Sequence, residues 1–443
     1  MLNTATTPHA RTEQGAASSY RWVVLIAGIV AYATSQFSRQ NYTGIQKFIA
    51  TDIPLDMGTI GLLGAVFFYA YALFQVPWGV AADRFGSRVV ITVGILLTAA
   101  TMAGFATSQS VPALLLWRSV AGIAVAATYV SVAGGLARWF PPRERGFSQS
   151  AFGGMGGALG EGTAFFLLPV ISIYFASGWR QGTNVSAVVI AAVGVLCFLL
   201  LRSAPPGQPA AIRRPLSWKL LAEPQMWCYC ALFSGFMVGT RTAQAWIAVY
   251  LADVYAAGYG FDLNEAVVAG GVLATVAFSL VGRGLGVSLA GKLSDTLLAR
   301  GVSRTTLAIG WLILVMILFQ ALSTRVTALW LLAPMAVLLG TSVNCYTLIT
   351  ASVSEYYGPE NTASVTGVIN MCGQLVGATS LAASGYLGVA LGRGQTGSLA
   401  EYQGVWLSGV VTVAMMTALG AGIYLAMRHR DRAVAAAAVA PVA

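Results

Sequence analysis

Charge is what this sequence is short of. Only 9% of its 443 residues are Asp, Glu, Lys or Arg, against roughly 25% in an ordinary soluble domain. A chain of this size with so little polar material cannot face water on all sides, so a soluble globular protein is excluded. Disordered and collagen-like chains are excluded with it. Histidine is scarcer still: His9 and His429 are the only two, and both lie in the terminal tails. Proton chemistry inside the body of the protein must therefore use other groups. The five cysteines (Cys197, Cys228, Cys230, Cys345 and Cys372) are odd in number, sit inside apolar runs and show no metal spacing. They read as small core residues, and a disulfide framework is excluded. No metal-ligand cluster or nucleophile motif is present, so neither an enzyme nor a cofactor or metal is expected.

What is there is apolar. Hydrophobic residues make up 57% of the chain, and the mean hydropathy is +0.73. Twelve apolar runs can be counted, at about 22–46, 58–81, 88–108, 111–138, 146–174, 183–202, 224–252, 264–291, 304–323, 327–353, 361–391 and 402–427. Each has about the roughly 20 residues that a helix needs to cross a bilayer, and in lipid such runs must be helices. The expected fold is an all-α membrane protein of 12 transmembrane helices in two pseudo-symmetric six-helix bundles. Its expected divisions are an N-terminal tail, 1–21, and a first bundle, 22–202. A proline-bearing linker, 203–223, leads to a second bundle, 224–428, and a tail, 429–443.

The formal net charge is +10. The gaps on the side of the termini hold 17 Lys and Arg, whereas the opposite gaps hold only Lys47, Arg180, Arg325 and Arg393. The basic excess is thus a topology signal rather than a nucleic-acid footprint. The positive-inside rule places both termini in the cytoplasm of a multi-pass plasma (inner) membrane protein. The halves also repeat. RQNYTGIQKFIA (39–50) sits against RTAQAWIAVYLA (241–252), and FPPRERGFSQSAFGGMGGALG (140–160) parallels YGPENTASVTGVINMCGQLVG (357–377). This pattern fits parallel repeats about an axis along the membrane normal.

Ionisable residues inside a span are costly and are functional candidates by default. Five qualify: Arg39, Arg118, Arg241, Arg283 and Glu161. Arg39 and Arg241 fall on equivalent helices, seven and eleven residues before the expected helix ends, so the pseudo-symmetry brings two guanidiniums to opposite walls of one cavity. Two planar forks suit an oxyanion. Gln36 and Tyr42 lie one turn from Arg39, and Gln244 lies one turn from Arg241. Tyr129, Asn344, Tyr346, Thr347, Asn370 and Gln374 are further polar groups within spans, able either to complete a site or to make packing hydrogen bonds. Glu161 ends a helical stripe of Gly153, Gly157 and Glu161. It is read as a proton-coupling acid, with a permanent bridge to Arg118 or Arg283 as the alternative. Arg118 is read as a packing or gating residue rather than a ligand. Arg283 is left as either a third cavity charge or the partner of Glu161.

The loop Gly79-Val-Ala-Ala-Asp83-Arg84-Phe-Gly86-Ser-Arg88 resembles the G-x-x-x-D-R-x-G-R/K motif of the major facilitator superfamily. The weaker copy at Gly291–Asp295 and the Arg118-x-x-x-Gly122 of the fourth span fit the same family. The resemblance implies two six-helix bundles rocking about a central site lined by helices one, four, seven and ten. Asp83, and in lesser part Arg84 and Arg88, would latch the bundles at one end of the cycle, with arginines that merely enforce the topology as the alternative. AYATSQFSRQNY around Arg39 resembles the first helix of the organophosphate:phosphate antiporters, which also carry an arginine in the seventh helix, matched by Arg241. The chain departs from them at Gln75, where they have a lysine, and at Gly156, near their histidine. The second and fourth spans resemble the anion:cation symporters equally, except that Val125 or a neighbour replaces their fourth-helix acid.

The function these features imply is secondary transport of a small organic anion (carboxylate, sugar acid or phosphate ester), driven by proton symport. Anion exchange is the alternative. A cationic drug exporter fits the basic cavity poorly, and a sensor that binds the anion without moving it lacks a signalling domain. The expected partners are the anion, protons and the bilayer, with a monomeric chain and no nucleic acid.

Overall fold

The computed structural model describes residues 19–175, 178–204, 221–392 and 399–439. Within them the first half comprises α1 (Tyr20–Asp52), α2 (Met57–Phe85), α3 (Ser87–Ala106), α4 (Val111–Trp139), α5 (Phe147–Tyr174) and α6 (Trp179–Leu200). The second comprises α7 (Pro224–Tyr259), α8 (Leu263–Leu298), α9 (Arg304–Ser323), α10 (Leu329–Tyr357), α11 (Val365–Gly392) and α12 (Leu399–Arg430). The all-α membrane architecture expected from the sequence is the one observed. The linker at 205–220 lies outside the described residues, as do most of the N-terminal tail and the last four residues of the C-terminal one.

Ten of these helices are long and apolar enough to cross a membrane by composition alone. The two that fall short are α1 and α7, which carry Arg39 and Arg241. Their burial explains this. Ser35, Gln36 and every residue from Ser38 to Gln46 on α1 are buried, as is every residue of α7 from Cys228 to Val254. A helix wrapped by protein on all sides meets no lipid and is free to be polar.

Helix ends differ from the sequence reading. α1 continues to Asp52 and α7 to Tyr259, where a left-handed Gly260 closes it. Arg39 and Arg241 therefore lie about 20 and 27 Å of helix axis from the ends of their helices, at 1.5 Å per residue, against the roughly 10–17 Å implied by the shorter runs. The helix of α12 runs on through the alanine-rich end to Val439 rather than stopping near 427, as the high helix propensity of alanine favours.

The two halves meet along two seams, α2 with α11 and α5 with α8, and at the central pair α1 and α7. On the face distal to the termini the first seam is tight. A Cβ on Gly385 of α11 would stand 2.1 Å from the Met57 carbonyl oxygen of α2, so only glycine admits this approach. Deeper in, Tyr69 and Thr379 share a hydrogen bond of 2.8 Å between their hydroxyls. In the second seam Thr275 Oγ1 donates to the Gly162 carbonyl at 2.9 Å. Between α1 and α7, Lys47 pairs with Asp253, whose other oxygen accepts from Tyr402 at 2.7 Å. The distal ends of the halves are closed on each other.

Candidate functional site

Both α5 and α8 widen locally to i→i+5 hydrogen bonding, over Phe152–Gly156 and Ala274–Gly286. Widened helical turns recur at functional sites because they re-aim side chains. Here the α8 stretch carries Arg283, and the α5 stretch lies one turn before Glu161. Arg283 Nη1 donates to Glu161 Oε2 at 2.5 Å, with the carboxylate fully buried. Gly157 makes the bridge possible, since a Cβ there would meet Arg283 Nη2 at 2.7 Å. Arg283 thus contacts Glu161 directly, one of the two roles the sequence left open for it.

The four buried arginines are solvated in very different ways, and this ranks them. Arg118 spends its donors on the carbonyls of Leu63 (3.3 Å), Ser38 (3.2 Å) and Arg39 (3.1 Å) and on Asn41 Oδ1 (3.2 Å). It also lies between the rings of Tyr42 and Phe67, at 4.4 and 4.5 Å. This is a clamp tying α4 to α1 and α2. Arg241 has two neutral acceptors, Gln244 Oε1 at 2.8 Å and Gln374 Oε1 at 2.7 Å, and its guanidinium carbon sits 4.0 Å from the Phe68 ring centre. Arg39 is 5% exposed and, among the described residues, its guanidinium faces the rings of Tyr71 at 4.8 Å and of the same Phe68 at 5.6 Å. Among the described residues neither Arg39 nor Arg241 has a carboxylate partner.

An unpaired buried cation costs several kcal/mol. Ring faces return only ~0.5–2 kcal/mol of that. Arg39 is thus the least compensated of the buried arginines among the described residues, and Arg241 is held by acceptors that an anion outcompetes. Phe68 is thus within ring-contact distance of both guanidiniums. Around them Arg39 Nε, Arg241 Nε, Gln36 Oε1, Glu161 Oε1 and Gln75 Nε2 are buried without hydrogen-bond partners, although most buried polar atoms in proteins are satisfied.

A chain of side chains crosses the middle of the molecule through Arg241. Gln75 of α2 accepts from Asn370 of α11 at 2.8 Å, and Asn370 accepts from Gln374 at 3.3 Å. Gln374 and Gln244 both accept from Arg241, and Gln244 Nε2 donates to Glu161 Oε2 at 3.3 Å.

The other residues singled out in the sequence are more scattered. Tyr42 packs under Arg118 rather than beside Arg39. Asn344 caps the carbonyl of Gly340 at 2.8 Å where the α10 helix breaks, and Tyr346 in that break packs edge-on against Phe233. Tyr129 is 39% exposed and packs with Tyr32 and Phe152. In the loop after α2, Gly79 is buried, and Gly86 takes a φ of 85° that favours glycine. Arg88 donates to the Phe198 carbonyl at 2.7 Å, Arg84 lies over Phe85 and Asp83 is exposed. Asp295 accepts from Arg304, which also bridges to Glu355. These contacts bind each half to itself at the face of the termini.

Sequence reasoning missed Phe68 and Tyr71, because aromatics in an apolar run carry no mark. It also read Lys47 as a loop residue and Asp253 as a span-end one. Their near-equivalent places in the repeat, toward the distal ends of α1 and α7, were the available signal. Among the described residues no group of three or more His, Cys, Asp or Glu is placed to hold a metal.

The chain is 25% identical over 396 residues to probable anion transporter 4, chloroplastic, of Oryza sativa subsp. japonica, covering 83% of this chain and 64% of that protein. It is 25% identical over 396 residues to the ascorbate transporter, chloroplastic, of Arabidopsis thaliana, covering 83% of this chain and 70% of that one. The fold superposes on a bacterial homolog to the human lysosomal transporter Spinster, in an inward-facing and occupied conformation, with a TM-score of 0.74 at 20% identity. That match covers 92% of this chain and 97% of the other. The Major Facilitator Superfamily model matches residues 24–381. A membrane chain of paired six-helix bundles, matched by that model over most of its length, belongs to the major facilitator superfamily and is a transporter rather than an enzyme.

Proposed function

We propose that this chain carries small organic anions, such as carboxylates, sugar acids or phosphate esters, by proton-coupled symport through alternating access. The observation that carries the reading is Arg39, a deeply buried guanidinium with ring faces for company and Arg241 against the same Phe68 ring. An anion bound between the two supplies the countercharge that the protein lacks. The anion and ascorbate transporters to which the chain is similar support this substrate class.

Glu161 is the coupling acid. Deprotonated, it pairs with Arg283 across the α5–α8 seam and holds the halves together there. Protonated, it releases that bond, and a monovalent anion and a proton bound together leave the net charge of the site unchanged, so the loaded site rocks without carrying added charge. The chain acts as a monomer in the plasma (inner) membrane with both termini in the cytoplasm, as its basic loops support. Anion exchange is a second reading, favoured by one observation: the Glu161 carboxylate is already committed to a bridge with buried Arg283, and a carrier that keeps this bridge throughout its cycle has no proton to couple.

The test is uptake of radiolabelled carboxylates, sugar acids and phosphate esters into proteoliposomes under an imposed pH gradient. Wild-type protein should accumulate at least one of them toward the alkaline side, and Glu161→Gln should abolish the dependence on pH while leaving exchange intact. Uptake indifferent to pH in the wild type would remove the proton role and leave exchange. No uptake of any member of the panel would overturn the transport reading.

A further inference from the structure

We infer that Gln244 is the positioning residue that couples the anion-binding arginine to the proton-binding acid, and that Gln374 performs the same service toward the other seam. The inference rests on the transport reading above and deepens it. Gln244 has a single amide with one acceptor side and one donor side, and both are committed. Its Oε1 accepts from Arg241, and its Nε2 donates to Glu161 Oε2. That fixes the orientation of the amide, because a reversed one would set two donors against Arg241 and its oxygen against a carboxylate. Gln374 is committed likewise, accepting from Arg241 and donating to Asn370, which holds Gln75 of the opposite half. Arg241 is therefore bonded, through one glutamine on each side, to the α5–α8 seam and to the α2–α11 seam.

The consequence is mechanical. An anion that takes the Nη donors of Arg241 displaces two neutral amide oxygens, since a charge-assisted hydrogen bond is roughly twice as strong as a neutral one. Gln244 then loses the bond that holds its amide toward Glu161. Glu161 keeps only Arg283 as a hydrogen-bonding partner, with Tyr32 of α1 and Tyr346 of α10 within electrostatic range of that arginine and Arg39 within range of Arg241. Binding at Arg241 thereby changes the environment of the acid without touching it. The same displacement frees Gln374 from its arginine and loosens its hold on Asn370 and Gln75. One binding event is read at both seams at once, which two halves that rock as rigid bodies require.

The experiment is a pair of assays on full-length protein in proteoliposomes, with the best labelled anion from the panel. Counterflow at equal pH measures binding and exchange without a net proton. Accumulation under a pH gradient measures coupling, about tenfold per pH unit for one proton per monovalent anion. Gln244→Met keeps the length and removes both polar ends. Its expected result is a pH-driven accumulation that falls to about one, a larger loss than any fall in counterflow. Gln244→Glu, which keeps an acceptor for Arg241 but sets a second carboxylate against Glu161, should lose counterflow by displacing the substrate from Arg241. In a Glu161→Gln background, Gln244→Met should not lower the pH-driven accumulation further. Full pH-driven accumulation in Gln244→Met overturns the inference while leaving the transport reading intact. If Gln244→Met does not fold, accumulation and counterflow at wild-type levels in Gln244→Glu overturn it equally. Absence of any anion transport by the wild type overturns the transport reading instead.

Discussion

Arg39 and Arg118 sit on adjacent helices, both buried and both stacked on rings, yet chemistry separates them. Arg118 has four oxygen acceptors and holds the carbonyls of Ser38 and Arg39, so its work is to shape α1. Arg118→Lys keeps the charge but loses the fork and the stacking. It should lower the stability of the detergent-solubilised protein by about 2–4 kcal/mol, seen as an earlier thermal unfolding transition. Its effect on the apparent affinity of whatever folds should be smaller than that of Arg39→Ala. That Arg39, Arg241 and Glu161 are charges buried within the helices was legible in the sequence, because a charge inside an apolar run is visible without a structure. What each charge does was not. The difference between a satisfied arginine and an unsatisfied one lies in acceptors drawn from residues as distant as Gln374, and Phe68 was indistinguishable from any other aromatic in its run.

The helices explain how such charges are held. α1 and α7 are polar because protein surrounds them, and the widened turns of α5 and α8 bring Glu161 and Arg283 together with Gly157 as the gap that admits the guanidinium. Helix count and type were readable from apolar runs, whereas helix ends were not. α1 and α7 project beyond their apolar cores, and no hydropathy change marks where Asp52 and Tyr259 stop. The seam between α2 and α11 was equally hidden, since glycines at 61 and 385 announce close packing but not the partner. Gly385→Ala places a methyl against the Met57 carbonyl. Overpacking of this kind costs about 1–3 kcal/mol, here charged to the distally closed state alone. A single cysteine at Ala248, buried between α1 and α7, should then react several-fold faster with a membrane-impermeant maleimide applied from the distal face. An unchanged rate would show that this contact does not hold the distal side shut.

Across the whole molecule the scarcity of charge becomes a statement about cargo. Lys47 with Asp253 and Arg283 with Glu161 are neutral pairs that join the halves, and Arg118 is absorbed by carbonyls. Two cations then remain at the centre, on equivalent helices of the two bundles, and a small anion is the partner that their chemistry favours. The pseudo-symmetry that places them was legible in the repeated segments of the sequence. The closing contacts were not, because they join residues such as Gln75 and Asn370 that only the packed bundle brings together. The measurement that bears most directly on this is counterflow of the labelled anion by Arg39→Ala and Arg241→Ala, each checked for folding by its thermal transition. Each lost charge-assisted contact is worth about 1.5–3 kcal/mol. Both variants should therefore lose at least about tenfold in apparent affinity for the anion, with Arg39→Ala the more severe. Wild-type counterflow by either folded variant would contradict the anion clamp.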